Sequence, residues 1–436
     1  MGLASDCRNF AFWTLDMLKG GKIKKDVNAI RNFNKATKEI QLQQQTQALD
    51  FLLNFAVNNT KYYQRYANFS TLQDFPVIDK NSIKTNFDAI TSANQNKDKF
   101  TLVSTSGSTG TPFKIYQSSR KKTRNTADTI YFAKLAGYTI GQKLLYLRFW
   151  AAYFKKPKLI AFLQNTEQLD VTQLTDKYIK DLLSRLQNDS SEKGLIGYPS
   201  GFETICKYLD KVKAAPLDCN MKSIIGIAEG LSPKVKSKME YYFKNPTVSR
   251  YSNVENGIIA QQLPNETSFT INWASYIVEI LDLERDVPAK DGEIGRIVIT
   301  DLYNTATPMI RYDTGDVGCL QTDNENTLPK LKNIEGRKMD VLYKTNGDTL
   351  NSFTMHAYVY DFHELEQLQF IQTDEKKYII KINCKSTFIR EQELVSLFKS
   401  DIGEDAEVVV EYVNEIRALK SGKRKISVNL YKKTLQ

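Results

Sequence analysis

The chain has 436 residues, 41% of them hydrophobic, which is enough for a large buried core and a smaller second unit. Its formal net charge of +10 comes from 60 Lys and Arg interleaved with 50 Asp and Glu, a pattern typical of a solvated basic surface and not of a specific nucleic-acid site. Five scattered cysteines without a CxxC pair, and only two histidines, His356 and His363, argue against a disulfide framework, a histidine-rich metal site and a conventional serine triad.

Two stretches of the chain are candidates for a membrane or export signal, and neither fits. NFAFWTLDML near the start is short and polar for a secretion signal. LLYLRFWAAYF (144–154) is interrupted by Arg148 and is shorter than the roughly 18 to 20 residues that a bilayer span needs. Because the cysteines also suit a reducing compartment, the sequence predicts a cytoplasmic protein without a membrane span.

Residues 8–100 show a helical pattern. Leu49, Leu52, Leu53 and Ala56 follow the i, i+3, i+4, i+7 spacing that lines one face of a helix. From about 100 to 320, β-rich runs such as LLYLRF, KSIIGIA and GRIVIT alternate with helical stretches such as PKVKSKMEYYF. This alternation predicts an α/β domain in which helices cover a sheet.

Beyond residue 340 the pattern changes to that of a small α+β unit. Ile380, Ile382 and Cys384 alternate with polar residues, and a helix-spaced group and a second alternating run follow: Leu394, Leu397 and Phe398, then Val408, Val410 and Tyr412. The polar segment GRKMDVL (336–342) separates the two patterns and is the predicted boundary.

The stretch STSGSTGTPFK (104–114) combines hydroxyl side chains, two glycines and Lys114. Glycines let successive backbone N–H groups converge, and hydroxyls and a lysine add donors and positive charge, so the stretch suits phosphate oxygens. It is not the common P-loop, because three residues separate Gly110 from the lysine. Taken alone, such a run is also compatible with a flexible polar surface loop.

Further polar motifs follow in a fixed order along the chain, and each is weak by itself. They are YSNVENG (251–257) with Tyr251 and Glu255, RYDTGD (311–316) with Asp316, EGRKMD (335–340) with Arg337 and Asp340, and SGKRK (421–425) with Lys423. The functional interpretation depends on the order of these four motifs along the chain together with the Ser/Thr/Gly stretch.

As a set, these motifs resemble the adenylate-forming enzyme superfamily, most closely its phenylacetate-coenzyme A ligase branch with the relatives found in capsular polysaccharide biosynthesis. The resemblance also covers NNTKYY and DFPVIDKNSIKTNF (58–87), IGYPSG (196–201), IAEGLSP (227–233) and GEIGRIVITDL (292–302). It implies an α/β fold with a large N-terminal adenylation domain of sheets covered by helices, residues 1–339, whose first 100 residues are mainly helical. A small mobile C-terminal α+β domain, residues 340–436, would act as a lid.

The resemblance assigns the nucleotide site residue by residue. Tyr251 would lie near the adenine, Asp316 would accept hydrogen bonds from both ribose hydroxyls, and Arg337 would reach the ribose or a phosphate. Glu255 would bind the magnesium ion that bridges the phosphates. The β and γ phosphates would contact Ser106, Gly107, Ser108, Thr109, Gly110 and Lys114.

The resemblance also implies the chemistry. A carboxylic acid attacks the α-phosphorus of ATP, and Lys423 from the small domain neutralises the charge that develops. Asp340 would act as the hinge about which the small domain rotates between two half-reactions. The cofactors implied are ATP and Mg²⁺, with coenzyme A as a co-substrate.

Several points stay open at the level of sequence. The acyl acceptor is a thiol such as coenzyme A or, alternatively, an amine such as an amino sugar or amino acid; a third alternative is an inactive nucleotide- or nucleic-acid-binding protein. Tyr146, Trp150 and Tyr198 are candidates for the acid pocket, whose hydrophobic lining would favour an aryl or aliphatic acid. The resemblance favours a homodimer. Ser252, Val254 and Gly230 depart from the usual family pattern near the adenine and acyl pockets.

Overall fold

The computed structural model describes most of the chain. The described residues are 2–93, 99–104, 113–150, 157–290, 292–337, 341–350, 355, 358, 362, 364–384, 387–417 and 426–431. Ser106 to Gly110, Asp340, Lys423 and the two histidines lie outside them. None of the helices within these ranges combines the length and hydrophobicity of a membrane span.

Helices make up the first ninety residues. They are α1 (Leu3–Leu18), α2 (Lys22–Lys35), α3 (Lys38–Asn59), α4 (Lys80–Thr85) and α5 (Phe87–Ile90). In α3 the predicted face is buried at Leu52, Leu53 and Ala56, which pack on the main core. Asp79 caps α4 by accepting a hydrogen bond from the Ser82 backbone N–H, and this cap sets where Lys80 begins the helix.

The body of the protein is built on one large sheet. Within the described residues it has eleven strands in the order β10-β11-β12-β13-β9-β8-β7-β6-β5-β3-β4. Their bounds are β3 (Lys143–Arg148), β4 (Thr166–Asp170), β5 (Lys193–Gly197), β6 (Met221–Ile227), β7 (Thr247–Asn253), β8 (Gly257–Gln262), β9 (Phe269–Ile271), β10 (Tyr276–Leu281), β11 (Gly295–Asp301), β12 (Tyr312–Gln321) and β13 (Lys330–Arg337). A separate antiparallel pair joins β1 (Thr101–Ser104) to β2 (Lys114–Gln117).

Helices cover both faces of the parallel half of this sheet. They are α6 (Ser119–Leu135), α8 (Asp176–Asn188), α9 (Pro199–Lys211) and α10 (Pro233–Phe243), whereas the short α7 (Lys158–Leu163) buries none of its residues. The apolar faces of α8, α9 and α10 pack on buried residues of the strands, namely Leu145 and Leu147 of β3, Leu195 of β5, and Met221 and Ile224 of β6. The opposite face meets the C-terminal end of α6, where Ala136 packs with Ile225 and Val248. This two-sided burial accounts for the near-continuous apolar runs of the central strands.

The sheet changes character at β7. Strands β4, β3, β5, β6 and β7 are mutually parallel, whereas β8 pairs with β7 in the antiparallel sense, as do the later strands with their neighbours. The β7–β8 pairing shifts register between Tyr251 and Ser252. Carboxyl ends of parallel strands at such a change of direction are where ligands bind in open α/β sheets. Tyr251 and Glu255 lie at this point.

A second, smaller sheet follows residue 364. It contains β14 (Leu365–Asp374), β15 (Lys377–Cys384), β16 (Glu407–Tyr412) and β17 (Ser427–Asn429), in the order β16-β15-β14-β17, with helix α11 (Glu391–Ile402) packed on it. Ile380 and Ile382 are buried as the alternation predicts. Val408 and Val410 are only half-buried and Tyr412 is exposed, because β16 is an edge strand. The predicted α/β body with a small C-terminal α+β unit is confirmed.

Candidate active site

Four side chains from three strands form a hydrogen-bonded cluster at the end of β7. The Tyr251 hydroxyl lies 2.8 Å from Oδ2 of Asp316 and 3.3 Å from the hydroxyl of Thr314. Arg337 places Nε 3.1 Å from Oδ1 of Asp316 and donates from a terminal nitrogen to the Thr314 carbonyl at 3.3 Å. The carboxylate of Asp316 is therefore held from both sides. Arg337 is half-exposed, so this cluster opens to solvent on the arginine side.

A bulge in β12 aims Asp316 at the cluster. The β11–β12 pairing passes from Arg296 opposite Val317 to Val298 opposite Asp313, so three residues of β12 lie opposite Ile297 alone. Gly315, at the centre of this bulge, has φ of 76°, a conformation that favours glycine. On the other side, Asp316 and Arg337 are direct cross-strand partners. The RYDTGD motif thus encodes an irregular strand that presents a carboxylate.

Burial controls the protonation of this cluster. It raises the pKa of Asp316 above the usual aspartate value, and the positive charge of Arg337 opposes the shift. The pKa of Tyr251 is raised well above its ordinary value by burial and by the neighbouring Asp316 carboxylate. Tyr251 is consequently a neutral hydrogen-bond donor at physiological pH, and Asp316 keeps lone pairs for further donors.

Glu255 forms a second cluster on the turn between β7 and β8. It is buried, and its Oε1 accepts a hydrogen bond from the Tyr312 hydroxyl at 2.8 Å and lies 3.1 Å from Nζ of Lys80. The Gln117 side chain donates to the Glu255 carbonyl at 2.9 Å and ties this turn to β2. Burial and the Glu255 charge raise the pKa of Tyr312 well above its ordinary value, so Tyr312 also stays protonated.

Phe113, near the end of the stretch 104–114, packs directly on the Glu255 cluster. Phe113 stacks on Tyr312 with ring centroids 6.3 Å apart and planes 4° from parallel, and Nζ of Lys80 lies 5.6 Å from the Phe113 ring centroid. Lys114 is exposed and pairs in register with Ser104 across β1 and β2. The two ends of the segment 105–112 are thus fixed beside Glu255.

The structure describes some of the site residues predicted from the sequence and leaves others outside the described ranges. Tyr251, Asp316 and Arg337 are brought into direct contact, and the charge of Glu255 acts on both Asp316 and Arg337, so these four share one site. Lys114 lies on β2 next to Phe113, which stacks on Tyr312, and among the described residues it contacts none of these four. The predictions for Ser106, Gly107, Ser108, Thr109, Gly110, Asp340 and Lys423 fall outside the described residues.

Three contributors were missed as site residues at the level of sequence: Lys80, Tyr312 and Thr314. Lys80 reaches the site because the segment before it adds to β12: the Ile78 N–H donates to the Arg311 carbonyl, and Ile78 accepts from the Asp313 N–H. No local pattern reveals such a pairing over more than two hundred residues. Tyr312 and Thr314 lie inside RYDTGD, so their motif was recognised without their roles.

The oxygen donors around Glu255 decide whether this site suits the Mg²⁺ ion predicted from the sequence. No cluster of three or more His, Cys, Asp or Glu that could hold an ion exists within the described part of the chain. Mg²⁺ is usually bound through one or two carboxylates together with substrate phosphates and waters, and not by an all-protein cage. Glu255 fits that mode as a single buried carboxylate, because both of its described side-chain contacts fall on Oε1.

Comparison with known proteins agrees with these motifs. Residues 342–429 match the family model described as the CapK C-terminal domain. The chain is 23% identical to protein CapK of Staphylococcus aureus over 421 residues, which is 88% of each chain. It is also 23% identical to phenylacetate-coenzyme A ligase of Escherichia coli (strain K12) over 336 residues, covering 68% of this chain and 71% of that one.

The fold matches solved structures over a similar length. A 2-hydroxyisobutyryl-CoA ligase, solved in the postadenylation state with 2-HIB-AMP, superposes with a TM-score of 0.66 at 15% identity and covers 88% of both chains. At that identity the likeness establishes the fold. The sequence relatives, the C-terminal family match and this fold agree with the resemblance to the adenylate-forming superfamily and, within it, to the phenylacetate-coenzyme A ligase-like and CapK branch.

Proposed function

We propose that the protein activates a carboxylic acid with ATP as an acyl adenylate, releases pyrophosphate and transfers the acyl group to a thiol such as coenzyme A. The observation that carries this proposal is the convergence of Tyr251, Glu255, Asp316 and Arg337 on one opening at the end of β7. These four residues come from three separate motifs, and a folding role alone does not require a half-exposed arginine beside a buried carboxylate.

The Asp316 cluster would hold the nucleoside. A carboxylate can accept hydrogen bonds from two adjacent ribose hydroxyls, and the Tyr251 hydroxyl and Arg337 fix its orientation before the ligand binds. The Tyr251 ring lies beside this carboxylate and offers an apolar face to the adenine. Because these contacts are preformed, little ordering is left to occur on binding.

The Glu255 cluster would hold the phosphate end. Glu255 would ligate Mg²⁺, which when bound supplies positive charge to the phosphate oxygens. Nζ of Lys80 lies 3.1 Å from Oε1 of Glu255 and balances its charge. The Lys80 side chain is one-third exposed, so it can turn to a phosphate when Mg²⁺ takes its place beside Glu255. We place Ser106, Gly107, Ser108, Thr109, Gly110 and Lys114 on the β and γ phosphates.

Lys423 would act on the reacting atoms. As the acid oxygen bonds to the α-phosphorus and the bond to pyrophosphate breaks, negative charge grows on the phosphate oxygens, and a lysine beside them lowers the barrier. We propose that residues 340–436 form a lid that turns about Asp340, bringing Lys423 to the α-phosphate for adenylation and withdrawing it for acyl transfer.

The acceptor has a second candidate. Similarity to a phenylacetate-coenzyme A ligase supports a thiol. The alternative left open by the sequence is an amine, such as an amino sugar or amino acid in capsular or surface polysaccharide biosynthesis. Mass spectrometry of the products formed with each acceptor separates the two, because only the thiol gives a thioester. We also propose a cytoplasmic location, in keeping with five free cysteines, and a homodimer.

Exchange of labelled pyrophosphate into ATP tests the proposed activity. We expect exchange that depends on an added carboxylic acid and on Mg²⁺, because adenylation is reversible before the acyl group leaves. ATP binding without exchange for any acid of a broad panel would favour an inactive nucleotide-binding protein. Binding of RNA without ATP binding would contradict both.

The affinity for ATP should depend on pH through Asp316. Only the carboxylate form accepts both ribose hydroxyls, so affinity is expected to fall as pH drops through the pKa of Asp316. Since burial raises that pKa, the loss should begin above the pH at which an ordinary aspartate, with a pKa of 3.8, titrates. Titration calorimetry from pH 7.5 downward measures it, and Asp316→Asn controls for protonation of ATP itself. A parallel loss of affinity in both proteins would contradict this role of Asp316.

A further inference from the structure

The carboxyl ends of the parallel strands carry two rows of side chains, one on each face of the sheet. The row of interest has large side chains and lies on the face covered by α6. Leu147, Gly197, Gly226 and Ser249 pair in succession across β3, β5, β6 and β7. The next residue in each segment therefore forms a second row on the opposite face, because successive side chains alternate. This row, here called the terminal row, consists of Arg148, Tyr198, Ile227 and Arg250.

Arg250 in the terminal row is buried and incompletely paired. Arg250 is 7% exposed, and its Nε donates to Oε1 of Gln261 at 2.7 Å. Its terminal Nη2 is buried and has no hydrogen-bond partner, and no carboxylate pairs with the guanidinium among the described residues. Burial lowers the pKa of Arg250 to about 10, which leaves it charged at neutral pH.

Other buried arginines of this protein have the partners that Arg250 lacks. Arg124 donates to the Ser275 hydroxyl at 2.8 Å and the Ala274 carbonyl at 2.6 Å. Arg311 lies 3.1 Å from Glu279 and also donates to the Phe75 carbonyl. A buried guanidinium without a counter-charge is costly, and it persists where a ligand supplies the missing partner.

Aromatic and apolar side chains lie with Arg250 on the face of the sheet that α6 covers. Tyr146, two residues before Arg148 in β3, packs against the cluster that contains Ile225 and Val248, and its ring lies edge-on to Trp150 with centroids 5.2 Å apart. Ile225, Ile227 and Val248 supply apolar walls on the same face. Glu229, an acid near Tyr198, accepts a hydrogen bond from the Ser200 backbone N–H at 3.0 Å. Polar and aromatic groups therefore surround one unsatisfied cation.

The position of Arg250 separates it from the reacting atoms. Tyr251, the next residue, points to the Asp316 cluster, so Arg250 points to the other face of β7 at the same strand end. The carboxyl group that attacks the α-phosphorus must lie on the Tyr251 side. A group bound by Arg250 would be the far end of the same molecule.

We propose that Arg250 binds a second anionic group of the acid substrate, so that the enzyme selects acids carrying a carboxylate, phosphate or sulfate besides the carboxyl that is adenylated. This inference rests on the proposed adenylation. It replaces the expectation of a purely hydrophobic pocket selecting an aryl or aliphatic acid. Tyr146 and Tyr198 would frame the anion, and the apolar walls would take the connecting carbons.

Pyrophosphate exchange with matched acids tests this selection. Malonate, succinate and glutarate are each compared with the monocarboxylate of equal chain length, in the natural protein, in Arg250→Met and in Arg250→Lys. We expect the natural protein to prefer a dicarboxylate in kcat/KM by about 10- to 100-fold, the range for a hydrogen bond to a charged group. Arg250→Met should abolish that ratio and Arg250→Lys should keep part of it. Equal losses for both acids, or a natural preference for monocarboxylates, would overturn the proposal.

Thermal unfolding without ligand gives a readout that does not need the adenylation reaction. If Arg250 awaits an anion, Arg250→Met removes a buried unpaired charge and should raise the melting temperature or leave it unchanged. Arg124→Met, which removes a fully partnered buried guanidinium, should lower it by several degrees. A comparable drop in Arg250→Met would show a structural arginine and overturn the proposal. Absence of exchange with every acid, combined with a stabilised Arg250→Met, would count against the adenylation chemistry alone.

Discussion

Replacing Glu255 with Gln should lower the rate of acid-dependent pyrophosphate exchange by about 100- to 1000-fold, the usual loss when one group that stabilises transition-state charge is removed. The amide keeps the shape of the side chain and can still bond to the Tyr312 hydroxyl. It lacks the negative charge that a hard cation requires, and Lys80 loses its partner. The defect should therefore lie in the metal-dependent step and not in folding.

A magnesium titration of the exchange rate measures this effect. The Glu255→Gln curve should shift to higher Mg²⁺ and reach a lower maximum, while the melting temperature stays close to that of the natural protein. Tyr312→Phe is the matched control, because it removes one hydrogen bond to Glu255 and leaves the charge; we expect a loss of about tenfold or less. Exchange in Glu255→Gln within about threefold of the natural rate would remove Glu255 from the metal role.

Replacing Lys423 with Ala should lower the exchange rate by about 100- to 1000-fold while changing the affinity for ATP by less than about fivefold. The reason is that Lys423 is proposed to meet charge that develops only as the α-phosphorus reacts. A group used in this way affects kcat more than binding.

Lys425→Ala is the matched control for Lys423→Ala, since it removes the same charge two residues further along SGKRK. Exchange kinetics and calorimetry on both variants separate a catalytic lysine from a general loss of basic surface charge. Equal activity of the two variants, at any level, would contradict the assignment. Acyl transfer from a preformed adenylate should survive in Lys423→Ala, because the lysine is withdrawn in that half-reaction.

The contact of Tyr251, Asp316 and Arg337 was predictable because these residues stand in motifs whose order along the chain is distinctive. Tyr251 and Asp316 are 65 residues apart, yet each falls at a strand end or bulge that its own motif encodes. Gly315 in RYDTGD marks an irregular strand, and such a residue is readable without knowing its partners. The helix α3 and the alternation of β15 were readable for a similar reason, because each buries one regular face.

Lys80 and Arg250 could not be predicted in the same way. Lys80 depends on the pairing of Ile78 with Tyr312, a contact between distant segments that leaves no periodic signal. Arg250 precedes Tyr251 in a strand and resembles an ordinary polar strand residue; only its burial and its unpartnered nitrogen distinguish it. The edge position of β16 likewise exposes Tyr412, although the alternating pattern there matches that of a half-buried strand.

A crystal structure with a non-hydrolysable ATP analogue and Mg²⁺ tests the central claim most directly. The account predicts that both ribose hydroxyls lie about 2.7 to 3.0 Å from the Asp316 carboxylate and that the metal contacts Glu255. The phosphates should extend toward Lys114 and the stretch before it. A nucleotide bound elsewhere, with the Tyr251–Asp316–Arg337 contacts unchanged and no ligand beside them, would contradict it.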